Sequence, residues 1–393
     1  MKKFIFIANV DCGREMSGGT TIYTQFLKNW HDKIYTYFYG SRATIQRLER
    51  EKLDKIKFIE TDTHDDPDLY SISGIFKHTL RRTVNGVKLI KRSLDVVRGS
   101  DYVYSASDFY PDFLPAFCAK LLNKKIKWIA GYYLIAPHPF STDSPYKGKD
   151  RIRGLLYWLM QLPTHYIAKN FADFVFVTSQ PDVEKFTPCK VIVVQGGVDT
   201  ALSRKYLQSA MVVPVKQRKY DACFVGRFHY QKGVLELVDI WKKVCETKKD
   251  AKLAMIGSGS LEPQVKEKIE KLELSNNIEV LGFKNGSEKF GIFKQSKIIV
   301  HPAIFDSGGM AAAEGMAWGL PGVAFDLEAL KTYYPKGMLK VMPGDTQDFA
   351  NKILKLLKNR KFYEKTTKEA VNLITRVWNW EGRSAFILEE IQK

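Results

Sequence analysis

ACFVGRFHYQKGVLELVDIWKKV, residues 222–244, begins as an apolar run of strand length and turns at Gly226. From Lys232 and Gly233 it continues into a helix whose apolar positions are Val234, Leu237, Val238 and Trp241. A strand, a glycine turn and an amphipathic helix make one βα step. The step repeats along the chain. Upstream, FIFIAN (4–9) precedes TIYTQFLKNW (21–30), DYVYSAS (101–107) precedes FLPAFCAKLLN (113–123), and KWIAGYY (127–133), FVFVTS (174–179) and VIVVQGG (191–197) follow. Downstream come AKLAMIGSGS (251–260), NIEVLGF (277–283), KIIVHPA (297–303) and GVAFD (322–326). Strands that alternate with helices pair in parallel through right-handed crossovers. The pattern therefore predicts an α/β protein with two Rossmann-like domains facing each other across a cleft, ligands binding at the carboxyl ends of the strands.

A length of 393 residues suits two such domains, each large enough for its own core. The expected division is residues 1–195, a linker at 196–219 that lacks a clear period, and 220–377, with a C-terminal helix at 378–393 packing back on the first domain. The composition, 45% hydrophobic and 26% charged, is that of a folded protein rather than a disordered one. Cys12, Cys118, Cys189, Cys223 and Cys245 are odd in number and form no CxxC pair, which argues against a disulfide framework or a zinc site and for a reducing cytoplasm. The first apolar run is too short for a secretory signal, and no stretch reaches the roughly 20 apolar residues of a spanning helix. Membrane contact, if any, is expected to be peripheral.

Three segments carry chemistry. Gly226, Arg227 and Lys232 lie between a strand end and a helix start, where cations, backbone amides and the helix dipole favour a diphosphate; two solvated surface cations remain the alternative. IFDSGGMAAAEGMAWGLPGVAF (304–325) sets Asp306 and Glu314 with seven residues between them. Ser307, Gly308, Gly309 and Met310 open a helix between them, leaving backbone amides for a ligand, and Glu314 two turns on is placed for vicinal hydroxyls. A Glu on an otherwise small-residue helix needs a partner or a ligand. Gly257 and Ser258 in MIGSGSL, with Gly282 in NIEVLGF, add glycine turns that are weak signals singly and gain weight from their order.

That order, GR…KG, IGSGS, NIEVLGF, then HPA…Asp…Glu…GLP, resembles the C-terminal domain of glycosyltransferase family 4, retaining nucleotide-sugar transferases of the GT-B fold. The resemblance covers 220 to about 330 closely and the whole chain in outline. It implies that Arg227 and Lys232 bind the donor diphosphate, that Glu314 binds the ribose, and that Asp306 faces the transferred sugar. The family has Glu at that last position; Asp is one methylene shorter, which bears on the choice of donor. The resemblance further implies a UDP- or GDP-sugar as substrate rather than a resident cofactor, and retention by front-face departure and attack. No Asp-x-Asp cluster at a strand end calls for a metal, so the cations are expected to stabilise the leaving diphosphate.

In the first half, Ser17, Gly18, Gly19 and Thr20 follow the first strand, where the family carries a glycine-rich loop near the donor phosphates. Asp108 ends a strand before a helix; it is read chiefly as a cap, with an acceptor hydroxyl as the alternative. Where many relatives have a His near the transferred sugar, this chain has Tyr132 or Tyr133, and the nearest His is His138 on the loop that follows.

The formal charge is +18. Residues 77–98 carry a net +6 and residues 120–169 a net +7, while 60–68 are acidic. The stretch 147–173 joins Lys147, Lys149, Arg151 and Arg153 to the apolar GLLYWLMQL (154–162). It reads either as a membrane-interface segment preferring anionic lipid or as a buried helix with a solvated start. No nucleic-acid motif is present. The expected activity is transfer of a sugar to a hydroxyl of a lipid-linked or cell-surface glycan, by a cytoplasmic enzyme peripheral to the inner face of a membrane. A nucleotide-sugar 2-epimerase and a non-catalytic binding protein of the same fold are the rivals.

Overall fold

The computed structural model describes residues 1–11, 17–63, 71–141, 144, 146, 148 and 150–393, without the side chains of Ile72 and Asp150. Cys12, Lys147, Lys149 and the acidic Asp65, Asp66 and Asp68 lie outside the described residues. Two compact units emerge: Met1–Pro139 with Ile152–Gly196 and Trp380–Lys393, and Phe140–Arg151 with Gly197–Asn379.

Among the described residues, the first unit holds seven parallel strands: β1 Lys3–Ala8, β2 Tyr35–Ser41, β3 Ile56–Asp62, β4 Tyr102–Ser105, β5 Lys127–Gly131, β6 Phe174–Val177 and β7 Lys190–Val193. Their order is β3-β2-β1-β4-β5-β6-β7. β1 is an interior strand between β2 and β4, buried on both faces as expected of a parallel sheet covered on both sides. Ile5 and Ile7 point into a cluster with Ile90, Phe113, Trp128 and Ala168. Phe4 and Phe6 point the other way, against Trp30, Tyr102 and Tyr104. On that second side Trp30 donates to the Ser384 carbonyl and Tyr102 to that of Ile391, and Phe26 meets Trp380 edge-on. These contacts seat helix Trp380–Gln392 on the first unit.

The sequence periodicity missed β2 and β3. YTYFYGS mixes aromatic and polar residues on both faces, and IKFIETD is a half-exposed edge strand, so neither shows a clean apolar run. Gly18 and Gly19, expected in a loop, form the first turn of helix Gly18–Trp30, capped by Ser17 through its bond from the Thr20 amide. The segment read as lacking a period contains helix Ala201–Leu207.

The second unit's six described strands are β8 Tyr220–Val225, β9 Leu253–Ile256, β10 Ile278–Val280, β11 Ser296–His301, β12 Gly322–Phe325 and β13 Met338–Val341, in the order β10-β9-β8-β11-β12-β13. Val234, Leu237, Val238 and Trp241 are fully buried, so helix Val234–Thr247 takes the expected face to the core. Two glycines are required by close approach. Gly257 has φ +141°, and a Cβ there would stand 1.9 Å from the Gly226 carbonyl oxygen; Gly233 has φ +63°, and its Cβ would stand 1.9 Å from that of Pro302. The turns after β8, β9 and β11 are thus drawn tightly together.

In each sheet the strand order reverses once, between β1 and β4 and between β8 and β11. Such reversals open a crevice at the carboxyl ends of the strands.

Candidate functional site

Beyond the carboxyl ends of β8 and β11, Asp306 collects four donors. Its Oδ2 lies 2.5 Å from Lys232 Nζ and 3.1 Å from His301 Nε2, and its Oδ1 accepts from the Gly308 and Gly309 amides at 3.1 and 3.0 Å. The side chain is only 10% exposed. Burial pushes the carboxyl's pKa up, but Lys232 and His301 outweigh it and hold the group well below the ordinary carboxylate range. Asp306 is therefore a fixed negative charge. The amides expected to be open to a ligand are engaged by this carboxylate, while Lys232, with three N–H donors, has spent one of them on it.

Ser307 and Met310 flank those glycines, and Tyr334 pins the turn from below, its hydroxyl donating to the Gly308 and Gly309 carbonyls at 3.1 and 2.8 Å. Arg227 is exposed immediately after Gly226, whose amide bonds to the Ile256 carbonyl. Gly257 in turn bonds to the Gly282 carbonyl, so the three glycine turns are stitched edge to edge, with Ser258 beside them. Glu314, on helix Met310–Ala317, pairs with Lys289 at 2.7 Å and is 35% exposed. The partner that its burial demanded is thus a lysine, and both groups remain within reach of solvent.

His301, Tyr334 and Lys289 were not singled out from sequence. His301 is visible as the last residue of an apolar strand, HPA, where a buried imidazole needs a partner; Tyr334 and Lys289 are distant in sequence and carry no local signal.

In the first unit the candidates sort differently. Tyr132 is wholly buried against Phe186, its hydroxyl directed to the Gln161 carbonyl and Thr164, so it belongs to the core and faces no solvent. Tyr133 shares a hydroxyl contact with Tyr104 and lies behind Gly19, where a Cβ would come 3.4 Å from its ring. His138 is exposed, edge-on to Trp158. Asp108 is not a helix cap. The N-cap of helix Tyr110–Leu122 is Phe109, and the Asp108 carboxylate accepts from Gln161 Nε2 at 2.8 Å instead. Asp112, unremarked in the sequence, fixes the end of β1 by accepting from the Asn9 and Val10 amides and from Ser107.

Burial raises the Asp108 carboxyl to about 6 against the bonds from Gln161 and Tyr157. A carboxyl whose folded value is raised stabilises the fold below its ordinary range near 3.8 and loses that contribution as pH rises through the folded value. Between about pH 4 and 7 the wild type should therefore lose roughly 2–3 kcal/mol relative to Asp108→Asn. Parallel denaturation curves of the two proteins across that range would refute the raised value.

Residues 210–372 match the family model described as "Glycosyl transferases group 1". An uncharacterised glycosyltransferase of Methanocaldococcus jannaschii is 27% identical over 161 residues, 40% of this chain and 41% of that protein. The poly(glycerol-phosphate) alpha-glucosyltransferase of Bacillus subtilis is 23% identical over 233 residues, 57% of this chain and 32% of that protein. The chain thus spans less than half the length of these relatives. Among solved structures, Anabaena HepE in complex with UDP and glucose superposes with a TM-score of 0.70 at 14% identity, covering 100% of both chains. The fold is GT-B, with two Rossmann-like α/β domains.

Proposed function

We propose that this chain is a retaining glycosyltransferase of family 4 that transfers a sugar from a UDP- or GDP-linked donor to a hydroxyl of a lipid-linked or cell-surface glycan. The observation that carries the reading is the Lys232–Asp306 pair with the glycine amides at the strand reversal, Lys232 lying on the same turn after β8 as the exposed Arg227. It lies inside the stretch matched by the family model. The relative named an alpha-glucosyltransferase supports retention, since common hexose donors are themselves α-linked, and its polymer acceptor supports a cell-surface glycan.

In this reading Asp306, ionised at any physiological pH, accepts a hydroxyl of the transferred sugar. Lys232 offers its two remaining N–H groups to the donor diphosphate, and Arg227 adds a second cation from the exposed side. Charge developing on the departing diphosphate meets fixed positive groups that need no reorganisation, so the proposed chemistry requires no metal. Glu314 exchanges Lys289 for the ribose hydroxyls. The proposal includes a cytoplasmic location at the inner face of a membrane, where lipid-linked acceptors are presented.

The test is a panel of UDP-, GDP- and ADP-sugars. A true donor at 100 times its Kd should stabilise the protein by about 2.7 kcal/mol, and only UDP- or GDP-sugars should do so. Glu314→Gln should raise the donor KM about tenfold with little change in kcat, because a ribose contact is made equally in ground and transition states. Absence of any nucleotide-sugar shift would sink the proposal, and an unchanged KM would remove Glu314 from it.

A further inference from the structure

One outer face of the first unit takes no part in this chemistry. Helices Ile72–Arg92, Tyr110–Leu122 and Asp150–Phe171 share one hydrophobic cluster, contributing Ile90, Phe113 and Ala168 against Ile5, Ile7 and Val175 of the sheet. Their outer sides therefore look away from the same sheet face. In helix Ile72–Arg92 the buried positions are His78, Arg82, Gly86 and Ile90. At 100° per residue the opposite side carries Phe76, Leu80 and Val84, between 39% and 66% exposed. Lys77, Lys88 and Lys91, all exposed, lie along the same side. In helix Asp150–Phe171 the inward positions are Gly154, Gln161, Thr164 and Ala168. The outward side carries Ile152, Leu156, Leu159 and Tyr166, between 41% and 67% exposed.

The charge of this layer is one-sided. Helix Ile72–Arg92 has no acidic residue, Tyr110–Leu122 has only the buried Asp112, and Asp150–Phe171 has only its first residue. We propose that this face docks on the surface of an anionic bilayer, the two apolar stripes entering the headgroup–acyl boundary and the lysines lying among the lipid phosphates. Exposed apolar rows of this extent are unusual unless something covers them. Apolar side chains without acids, beside lysines whose long stems keep their charge at the interface, match an anionic lipid surface. Nucleic acid would use the lysines and leave the leucines in water.

The face differs from that suggested by the basic stretches of the sequence. Arg81 and Arg82 bond to Asp62 and take no part, and the outward residues of GLLYWLMQL are Leu156, Leu159 and Leu162 rather than Tyr157 and Trp158.

Docking is independent of sugar transfer and is measured without donor, by co-sedimentation of the full chain with phosphatidylcholine vesicles, alone or carrying phosphatidylglycerol. Binding should require phosphatidylglycerol and weaken as the Debye length shortens from about 10 Å at 0.1 M salt to about 3 Å at 1 M. Changing Lys77, Lys88 and Lys91 together to Glu should lower partitioning by about a hundredfold or more, at roughly fivefold per lost lysine. The triple variant Leu80→Ser, Leu156→Ser, Leu159→Ser should lower it by at least about tenfold through lost apolar contact. All six residues are exposed, so melting temperatures should be unchanged; a large fall would contradict the assigned face. The proposal is overturned by equal binding to both vesicles, by no binding to either, or by unaltered binding of both variants. It is also overturned if the serine variant dissociates a dimer of the chain while vesicle binding stays absent, which would assign the stripes to a second copy.

Discussion

Lys232→Ala should lower kcat/KM for donor by about 10²–10³-fold, the loss that follows removal of one preorganised charge from a transition state that develops an anion. The fold will also suffer, because the buried Asp306 carboxylate keeps only His301 and two amides. Breaking one side of a buried pair costs about 3–5 kcal/mol, and the lower end applies here because those donors remain. The two losses separate in a cycle. Lys232→Met with Asp306→Asn replaces the ion pair by a neutral pair of similar shape and should recover most of the stability but none of the activity. Acid provides a second check. Asp306 has a lowered folded pKa, so the pair's stabilisation is present above the ordinary carboxylate range and disappears as pH falls through the lowered value. Wild type and Lys232→Ala should converge in stability there. Full activity in a folded Lys232→Ala protein would remove the pair from the chemistry.

The part of this site that was legible in sequence is the part set by local geometry. A buried strand, a glycine that must turn, and a helix with one apolar face announce themselves in consecutive residues, which is how Gly226, Gly233, Asp306 and Glu314 were found. The sequence did not disclose which partners close the electrostatics. Lys289 lies 25 residues from Glu314, and Tyr334 some 25 from the turn it pins. Such pairings come from the order of β8, β11 and β12 in the sheet, and periodicity does not encode sheet order. Asp108 shows the converse. A polar residue before a helix is normally its cap, but here burial beside Gln161 took the carboxylate and left Phe109 at the cap position without a side-chain bond. Both tyrosines at the end of KWIAGYY are buried, Tyr132 against Phe186 and Tyr133 against Tyr104, and nothing in that run announces it.

Charge was the least legible quantity, and Arg82 gives the sharpest case. Counted with its neighbours it belongs to a basic cluster that ought to face an anionic surface. In the fold its side chain is 1% exposed, with Nε on Asp62 at 3.1 Å and Nη1 on the Asn9 and Asp11 carbonyls at 2.6 and 3.0 Å. It therefore ties β3 to the end of β1, where the strand order reverses. Replacing it with Met, which keeps much of the volume, would take from Asp62 one of its buried cations and leave two carbonyls without this donor. The expected cost is about 3 kcal/mol or more, against less than about 0.5 kcal/mol for the exposed Lys88→Glu on the same helix. Adding Asp62→Asn to Arg82→Met should return part of that stability, because the buried carboxylate that lost a cation is then neutral. Urea denaturation of the four proteins decides it. If Arg82→Met unfolds no more readily than Lys88→Glu, Arg82 is a surface cation after all and belongs with the lysines of the docking face.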